Sequence, residues 1–150
     1  MTVQGRGPAP PDPMRSAIMR AVRRQGTTPE LRVRRALAVL GLRFRANVGD
    51  LPGSPDLANK ARKTAIFVHG CFWHRHPRCS RATTPKANAQ FWRTKFDANI
   101  ARDRRKARAL RKLGYRVIVL WECQTTDPNR LLRRLYRTFG LTGGRSDGRE

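Results

Sequence analysis

Residues 64–79 read TAIFVHGCFWHRHPRC, and this stretch joins an apolar segment to a run of metal-ligating residues. Thr64 to Val68 are apolar or β-branched, which predicts a buried strand. Residues 69–79 then hold all three histidines of the chain and two of its three cysteines, beside two large aromatic side chains. Because these residue types are scarce elsewhere in the chain, the stretch predicts a strand that leads into a metal-binding loop.

The flanking sequence predicts an α/β chain, because helical and strand patterns alternate along it. Thr28 is the expected N-cap of a helix that has Pro29 at its first position. We expect a small mixed sheet with helices on both sides. Beyond the strand at 64–68, the expected helices cover residues 16–24, 29–40, 91–113 and 131–139, and the expected strands cover residues 44–48, 55–59 and 115–121.

Length and composition indicate one domain. A chain of 150 residues can bury a core without disulfides, and we expect that core within residues 14–140. Residues 1–13 are rich in glycine and proline and residues 141–150 are polar, so both tails are expected to be disordered. The chain has no apolar run long enough to span a membrane and no apolar signal core at its start. These features predict a soluble, cytoplasmic protein.

The charge of the chain is its second unusual feature. A formal net charge of +23 and a pI near 11.8 concentrate polyanions around the protein. Most of the basic residues are arginine, which suits bidentate contacts to phosphate and guanine. Nucleic acid is therefore the expected partner.

The cysteines predict a closed metal site. Cys71, His76 and Cys79 are close in sequence, and Cys123 directly follows the strand predicted at 115–121. One loop and one strand end could thus supply the four ligands of a tetrahedral Cys3His zinc site, which leaves no open position for water and has a structural role. The alternative is a set of buried free thiols.

Three acids are candidates for catalysis, because unpaired acids on apolar faces are costly. Glu30 and Asp103 lie at helical spacing on the apolar faces of their helices. Asp56 begins a strand and could bind Mg²⁺, which prefers oxygen ligands, while a nearby histidine deprotonates water. The alternative for each acid is an ion pair with arginine. For His69 and His74 the alternatives are zinc ligation and hydrogen bonding in the core.

Three segments together resemble the very-short-patch repair (Vsr) mismatch endonucleases: residues 53–56 (GSPD), residues 67–74 (FVHGCFWH) and residues 121–123 (WEC). The resemblance runs from about Met14 to Cys123. It implies a restriction-endonuclease-like, three-layer α/β/α core in which the usual acid-x-Lys motif is replaced by Phe-x-His. Two departures are a longer gap between His76 and Cys79 and a valine in place of threonine at position 68.

The resemblance also implies catalytic roles. Asp56 would be the carboxylate that binds Mg²⁺, the Val68 carbonyl would be a second ligand, and His74 would be the general base. The residues that would assist through water or phosphate are His69, Glu30 and Asp103.

The resemblance assigns structural zinc to Cys71, His76, Cys79 and Cys123, which is the set that the spacing predicts. Phe72 and Trp73 resemble the aromatic side chains that intercalate into DNA, and Met19 resembles a wedge inserted from the other groove. Inserted apolar side chains unstack bases most easily at a mismatch. Judged from the residues alone, core packing is the favoured interpretation of Phe72 and Trp73.

The expected activity is therefore Mg²⁺-dependent nicking of double-stranded DNA on the 5′ side of the thymine in a T:G mismatch, which starts very-short-patch repair. The resemblance further implies a bacterial, nucleoid-associated monomer that works with mismatch-repair partners. Two alternatives remain: a non-catalytic, zinc-stabilised nucleic-acid-binding module, and a related endonuclease with a different target.

Overall fold

The structure, a computed structural model, describes residues 27–141. Its elements in chain order are α1 (Thr28–Val39), β1 (Arg45–Ala46), β2 (Leu57–Asn59), β3 (Thr64–His69), α2 (Ala89–Lys112), β4 (Arg116–Trp121), a 3₁₀ helix (Glu122–Gln124) and α3 (Pro128–Thr138). The predicted α/β class is confirmed. Among residues 27–141, no helix is both long and apolar enough to cross a membrane. The helix predicted at 16–24 lies outside the described residues.

The three described helices all begin earlier than predicted, and for α1 and α3 the cap explains the difference. Thr27, not Thr28, caps α1, because its Oγ1 accepts a hydrogen bond from the Glu30 N–H at 3.4 Å. Helix α3 begins before the predicted residue 131, because Asp127 Oδ1 accepts hydrogen bonds from the N–H groups at positions 129 and 130. Side-chain oxygens at these positions satisfy helix N–H groups that have no partner within the helix.

The four strands form one mixed sheet in the order β1-β2-β3-β4. Strands β1, β2 and β3 are antiparallel neighbours, whereas β3 and β4 are parallel and are aligned from Thr64 opposite Arg116 to His69 opposite Trp121. Strands β1 and β2 are shorter than predicted. The parallel pair requires a crossover, and α2 provides it.

The sheet separates two apolar clusters. One face of the sheet carries Ile66, Ile118 and Leu120, which pack against α1 and α3. The other face carries Ala65 and Phe67, which lie in one cluster with Leu110 of α2. Successive residues of a strand point to opposite faces, so β3 contributes to both clusters. His69 is thereby directed to the same side as Ala65 and Phe67, towards α2.

Leu110→Ala should lower the free energy of unfolding by about 2–5 kcal/mol, because it removes a fully buried side chain and leaves a cavity. Leu110 is 0% exposed between α2 and the sheet. The matched control is Leu113→Ala at the end of the same helix, where the side chain is 51% exposed and the expected change is within about 0.5 kcal/mol. Urea unfolding measures both. Equal losses in the two variants would show that α2 does not pack as described.

Candidate active site and metal centre

The parallel pairing of β3 with β4 brings two distant parts of the chain together. Both strands end at the same edge of the sheet, because His69 and Trp121 are register partners. Cys71 is the second residue after the end of β3, and Cys123 is the second residue after the end of β4. Residues far apart in sequence thus meet beside one another at the sheet edge.

Four side chains at this edge form a cluster that could hold a metal. One ligand atom from each of Cys71, His76, Cys79 and Cys123 lies within 4.8 Å of the other three. His76 Nδ1 is 3.7 Å from Cys71 Sγ and 3.4 Å from Cys123 Sγ. With Zn–S and Zn–N bonds of about 2.3 and 2.0–2.1 Å, a tetrahedral site places sulfur and nitrogen about 3.6 Å apart. The donor set and its spacing therefore fit Zn²⁺.

Local bonding supports this arrangement. The Cys123 N–H donates to Cys71 Sγ at 3.4 Å, and the His76 ring stacks on Trp121 with 4.4 Å between centroids. Cys71 is fully buried, and burial raises the pKa of its thiol to about 12, so a thiolate there requires a nearby cation. The extra residue between His76 and Cys79 does not keep Cys79 away from the cluster.

A second cluster lies on the α2 side of the sheet edge. His74 Nδ1 is 2.7 Å from Asp103 Oδ2, and the rings of His69 and His74 stack with 4.0 Å between centroids and 7° between planes. Partial burial would raise the pKa of Asp103, but the hydrogen bond and charge of His74 lower it below its ordinary value. Asp103 therefore pairs with His74 and leaves the other ring nitrogen of His74 to act on a substrate.

His69 has a different environment from His74. Its side chain is 7% exposed, and burial, together with the charge of His74, lowers the pKa of His69 to about 4. At neutral pH the ring is uncharged. His69 can therefore donate or accept a hydrogen bond in the site, but it does not supply positive charge there.

Asp56 and Glu30 form the acidic part of the site. Asp56 Oδ2 accepts a hydrogen bond from the Val68 N–H at 2.7 Å, which ties the carboxyl to β3. Burial raises the pKa of Asp56 to about 7, and the carboxyl of Glu30 beside it adds to the rise. Glu30 lies on α1 and is buried. Two carboxyls side by side favour a bound cation, and the oxygen donors at Asp56 and Val68 are of the type that Mg²⁺ prefers.

Phe72 and Trp73 are half-buried rather than fully exposed. The Phe72 ring contacts Trp92 and Phe96 of α2 edge-on, with centroids 5.8 and 5.3 Å away. The Trp73 ring lies 6.2 Å from the Trp92 ring between centroids, so both rings pack on α2 and keep part of their surface exposed. Met19, the other predicted intercalating residue, lies outside the described residues.

Arg75, which was not predicted as a functional residue, stabilises the loop after β3. Its guanidinium donates to the carbonyls of Ala82 and Thr83 at 2.9 Å each and lies 4.0 Å from the centroid of the Phe96 ring. One side chain thereby connects the start of the loop, its end and α2. No sequence pattern singles out Arg75, because most basic residues of this chain are arginine.

A cavity of about 800 Å³ opens between the second half of α2 and the ends of β3 and β4. His69, His74 and Asp103 line it, together with basic residues of α2. A cavity in which titratable groups with perturbed pKa values converge is where catalysis is expected.

The fold and this site are consistent with what comparisons with known proteins show. Residues 11–81 match the family model described as DNA mismatch endonuclease Vsr. The type II nicking enzyme V.XorIIP of Xanthomonas oryzae pv. oryzae is 45% identical over 121 residues, which are 81% of this chain and 88% of that protein. The DNA mismatch endonuclease Vsr of Escherichia coli is 41% identical over 109 residues, 73% of this chain and 69% of that protein. V.NaeI of Lentzea aerocolonigenes, another type II nicking enzyme, is 42% identical over 123 residues, 79% of this chain and 73% of that enzyme.

The α/β fold, the paired carboxyl and histidine groups and these relatives define an endonuclease that acts on DNA. The chain belongs to the Vsr family of DNA mismatch endonucleases. Membership confirms the family that the sequence motifs indicated.

Asp56→Asn should change how stability depends on pH. Folding raises the pKa of Asp56 from 3.8 to about 7. The protonated carboxyl therefore contributes its full stabilisation of the fold below the unfolded pKa, and this stabilisation is lost as the pH rises through 7. Asparagine resembles the protonated acid and keeps the contribution. In magnesium-free buffer, the unfolding temperature of Asp56→Asn should therefore rise relative to wild type between about pH 4.5 and about pH 7.5.

Asp50→Asn is the matched control for this measurement. Asp50 is exposed, and a hydrogen bond from Lys60 lowers its pKa, so its contribution does not change over that pH range. A constant difference between wild type and Asp56→Asn across the range would contradict the environment described for Asp56.

Proposed function

We propose that this endonuclease nicks double-stranded DNA on the 5′ side of the thymine in a T:G mismatch, with Mg²⁺ as its catalytic cofactor and Zn²⁺ in the Cys3His cluster. The observation that carries the proposal is the site itself: Asp56 accepts a hydrogen bond from the Val68 N–H of β3, and His74, whose charge acts on Asp56, pairs with Asp103. The name of the Escherichia coli relative supports mismatch specificity. The mixed sheet with helices on both faces supports a restriction-endonuclease-like core.

Asp56 and the Val68 carbonyl would hold Mg²⁺, which when bound polarises the phosphate and lowers the pKa of bound water. His74 then takes a proton from the attacking water through the ring nitrogen that does not face Asp103. The water oxygen bonds to phosphorus, the bond from phosphorus to the 3′ oxygen breaks, and the 3′ oxygen takes a proton from solvent. The products are a 5′-phosphate and a 3′-hydroxyl.

The pairing of His74 with Asp103 prepares the histidine for this role. Because Asp103 accepts at Nδ1, it orients the ring and stabilises the imidazolium that forms after proton transfer. His69 stacks on His74 and is uncharged, so it can bind a water or a phosphate oxygen by hydrogen bonding. Glu30 lies beside Asp56 and would hold water around the metal.

Phe72 and Trp73 would enter the base stack at the mismatch, where unstacking costs least. The metal cluster has one ligand, Cys71, directly before these rings and His76 after them, and together with Arg75 it holds the loop that carries them. We propose that Met19 enters from the opposite groove, that the protein acts as a monomer in the bacterial cytoplasm, and that mismatch-repair proteins are its further partners.

Nicking of a labelled duplex that contains one T:G mismatch tests the proposed activity, with a T:A duplex as substrate control. Wild-type protein with Mg²⁺ should nick only the mismatched duplex, on the 5′ side of the thymine. Asp56→Asn should slow nicking by about 10³-fold, the upper range for loss of one electrostatic contact in the transition state. Asp50 is an exposed acid in the same loop, and Asp50→Asn should nick at the wild-type rate. Binding of the mismatch without cleavage in any sequence context would contradict the proposal.

The specific alternative is an endonuclease with a different target, because the names of V.XorIIP and V.NaeI give a nicking activity and no mismatch. Profiling the wild-type enzyme on all mismatches in varied flanking sequences distinguishes the two. Preference for another mismatch or context would retain the endonuclease and replace its substrate.

Protein purified under reducing conditions should contain one zinc per chain by elemental analysis. Cys79→Ala should lose most of this zinc and lower the unfolding temperature, because a closed four-ligand site contributes folding free energy. Ser80→Ala, an exposed neighbour, should keep the metal. Unchanged zinc content in Cys79→Ala would rule out the proposed ligand set.

A further inference from the structure

Lys106 has an unusual position among the basic residues of α2. It lies one helical turn after Asp103 and one turn before Leu110, so it shares the side of the helix that faces the sheet. Its side chain is half-buried, whereas Arg104, Arg105 and Arg108 are exposed. Lys106 also lines the cavity that His69, His74 and Asp103 line, and a substrate phosphate would lie in this cavity.

The aliphatic part of Lys106 packs directly against Gly53. Gly53 has a φ of +74°, and a Cβ added to it would lie 2.6 Å from both Cβ and Cγ of Lys106. Only glycine satisfies both the backbone conformation and this close approach. Gly53 belongs to the loop that leads to Asp56, so Lys106 contacts the part of the chain that positions the metal-binding acid.

The charged end of Lys106 acts on the other half of the site. Its charge contributes to the lowered pKa of Asp103, and it lines the same cavity as Asp103, His69 and His74. Lys106 therefore lies between the Asp56 loop and the histidine cluster.

We propose that the Lys106 ammonium binds a non-bridging oxygen of the phosphodiester that is cleaved. This inference rests on the proposed function and adds a residue to it. Negative charge on the non-bridging oxygens must be neutralised as water attacks phosphorus, and a fixed cation in a partly desolvated cavity does so effectively. The packing on Gly53 holds the stem of Lys106, so the ammonium is positioned before the DNA binds.

Lys106→Met tests the inference, because methionine keeps much of the aliphatic stem and removes the charge. Single-turnover nicking of the T:G duplex in Mg²⁺ should slow by about 10²–10³-fold. Binding of the same duplex without Mg²⁺ should become less dependent on salt, with the slope of log K against log salt smaller by about 0.9, the value for one lost phosphate contact. Lys106→Arg, which keeps the charge, should recover most of the rate.

Lys60→Met is the matched control, since it removes the same charge from an exposed lysine that pairs with Asp50. It should nick at close to the wild-type rate. Unfolding temperatures of all variants establish that the comparison is made between folded proteins.

The outcomes separate the two proposals. Wild-type nicking together with an unchanged rate in Lys106→Met would overturn the role of Lys106 and leave the proposed function standing. Equal rate losses in Lys106→Met and Lys106→Arg with an unchanged salt slope would show a packing role, which also overturns it. Absence of T:G nicking by the wild-type protein would overturn the proposed function and this inference with it.

Discussion

Parallel pairing of β3 with β4, with His69 opposite Trp121, determines where both side-chain clusters form. The pairing places the ends of two strands at one sheet edge, and Cys71 and Cys123 follow those ends at equal offsets. Apolar packing on both faces of the sheet stabilises this pairing, since Ile66 of β3 lies in one apolar cluster and Phe67 lies in the other. A shift in register would separate the metal ligands and turn His69 away from α2.

The loop after β3 carries side chains of both clusters within a few residues. Cys71 and His76 belong to the metal cluster, while His74 between them points to Asp103. The Cys71 carbonyl accepts the His76 N–H at 3.0 Å and the Gly70 carbonyl accepts the His74 N–H at 3.1 Å, so the loop is tightly turned. Tight turns direct neighbouring side chains to different sides, which lets one short segment serve two sites.

The overall charge of the molecule is strongly basic, whereas the site brings two acidic side chains together. The net charge of +23 attracts DNA from a distance, but the site itself places the carboxyls of Asp56 and Glu30 together. Burial and the neighbouring carboxyl of Glu30 raise the pKa of Asp56, and the charge of His74 offsets only part of this rise. A divalent cation satisfies them, whereas an arginine side chain there would compete with the metal.

The sequence by itself determined the α/β class, the ligand-rich loop and the Vsr family, because hydrophobic periodicity and residue spacing are local properties. It also placed Glu30 and Asp103 on inward helix faces by helical spacing alone. Only the tertiary structure decided that Asp103 pairs with His74 and that Arg75 and Lys106 differ from the other basic residues. Their partners, Phe96 and Gly53, are distant in sequence, and contacts between distant residues depend on sheet register and helix packing, which no local pattern records.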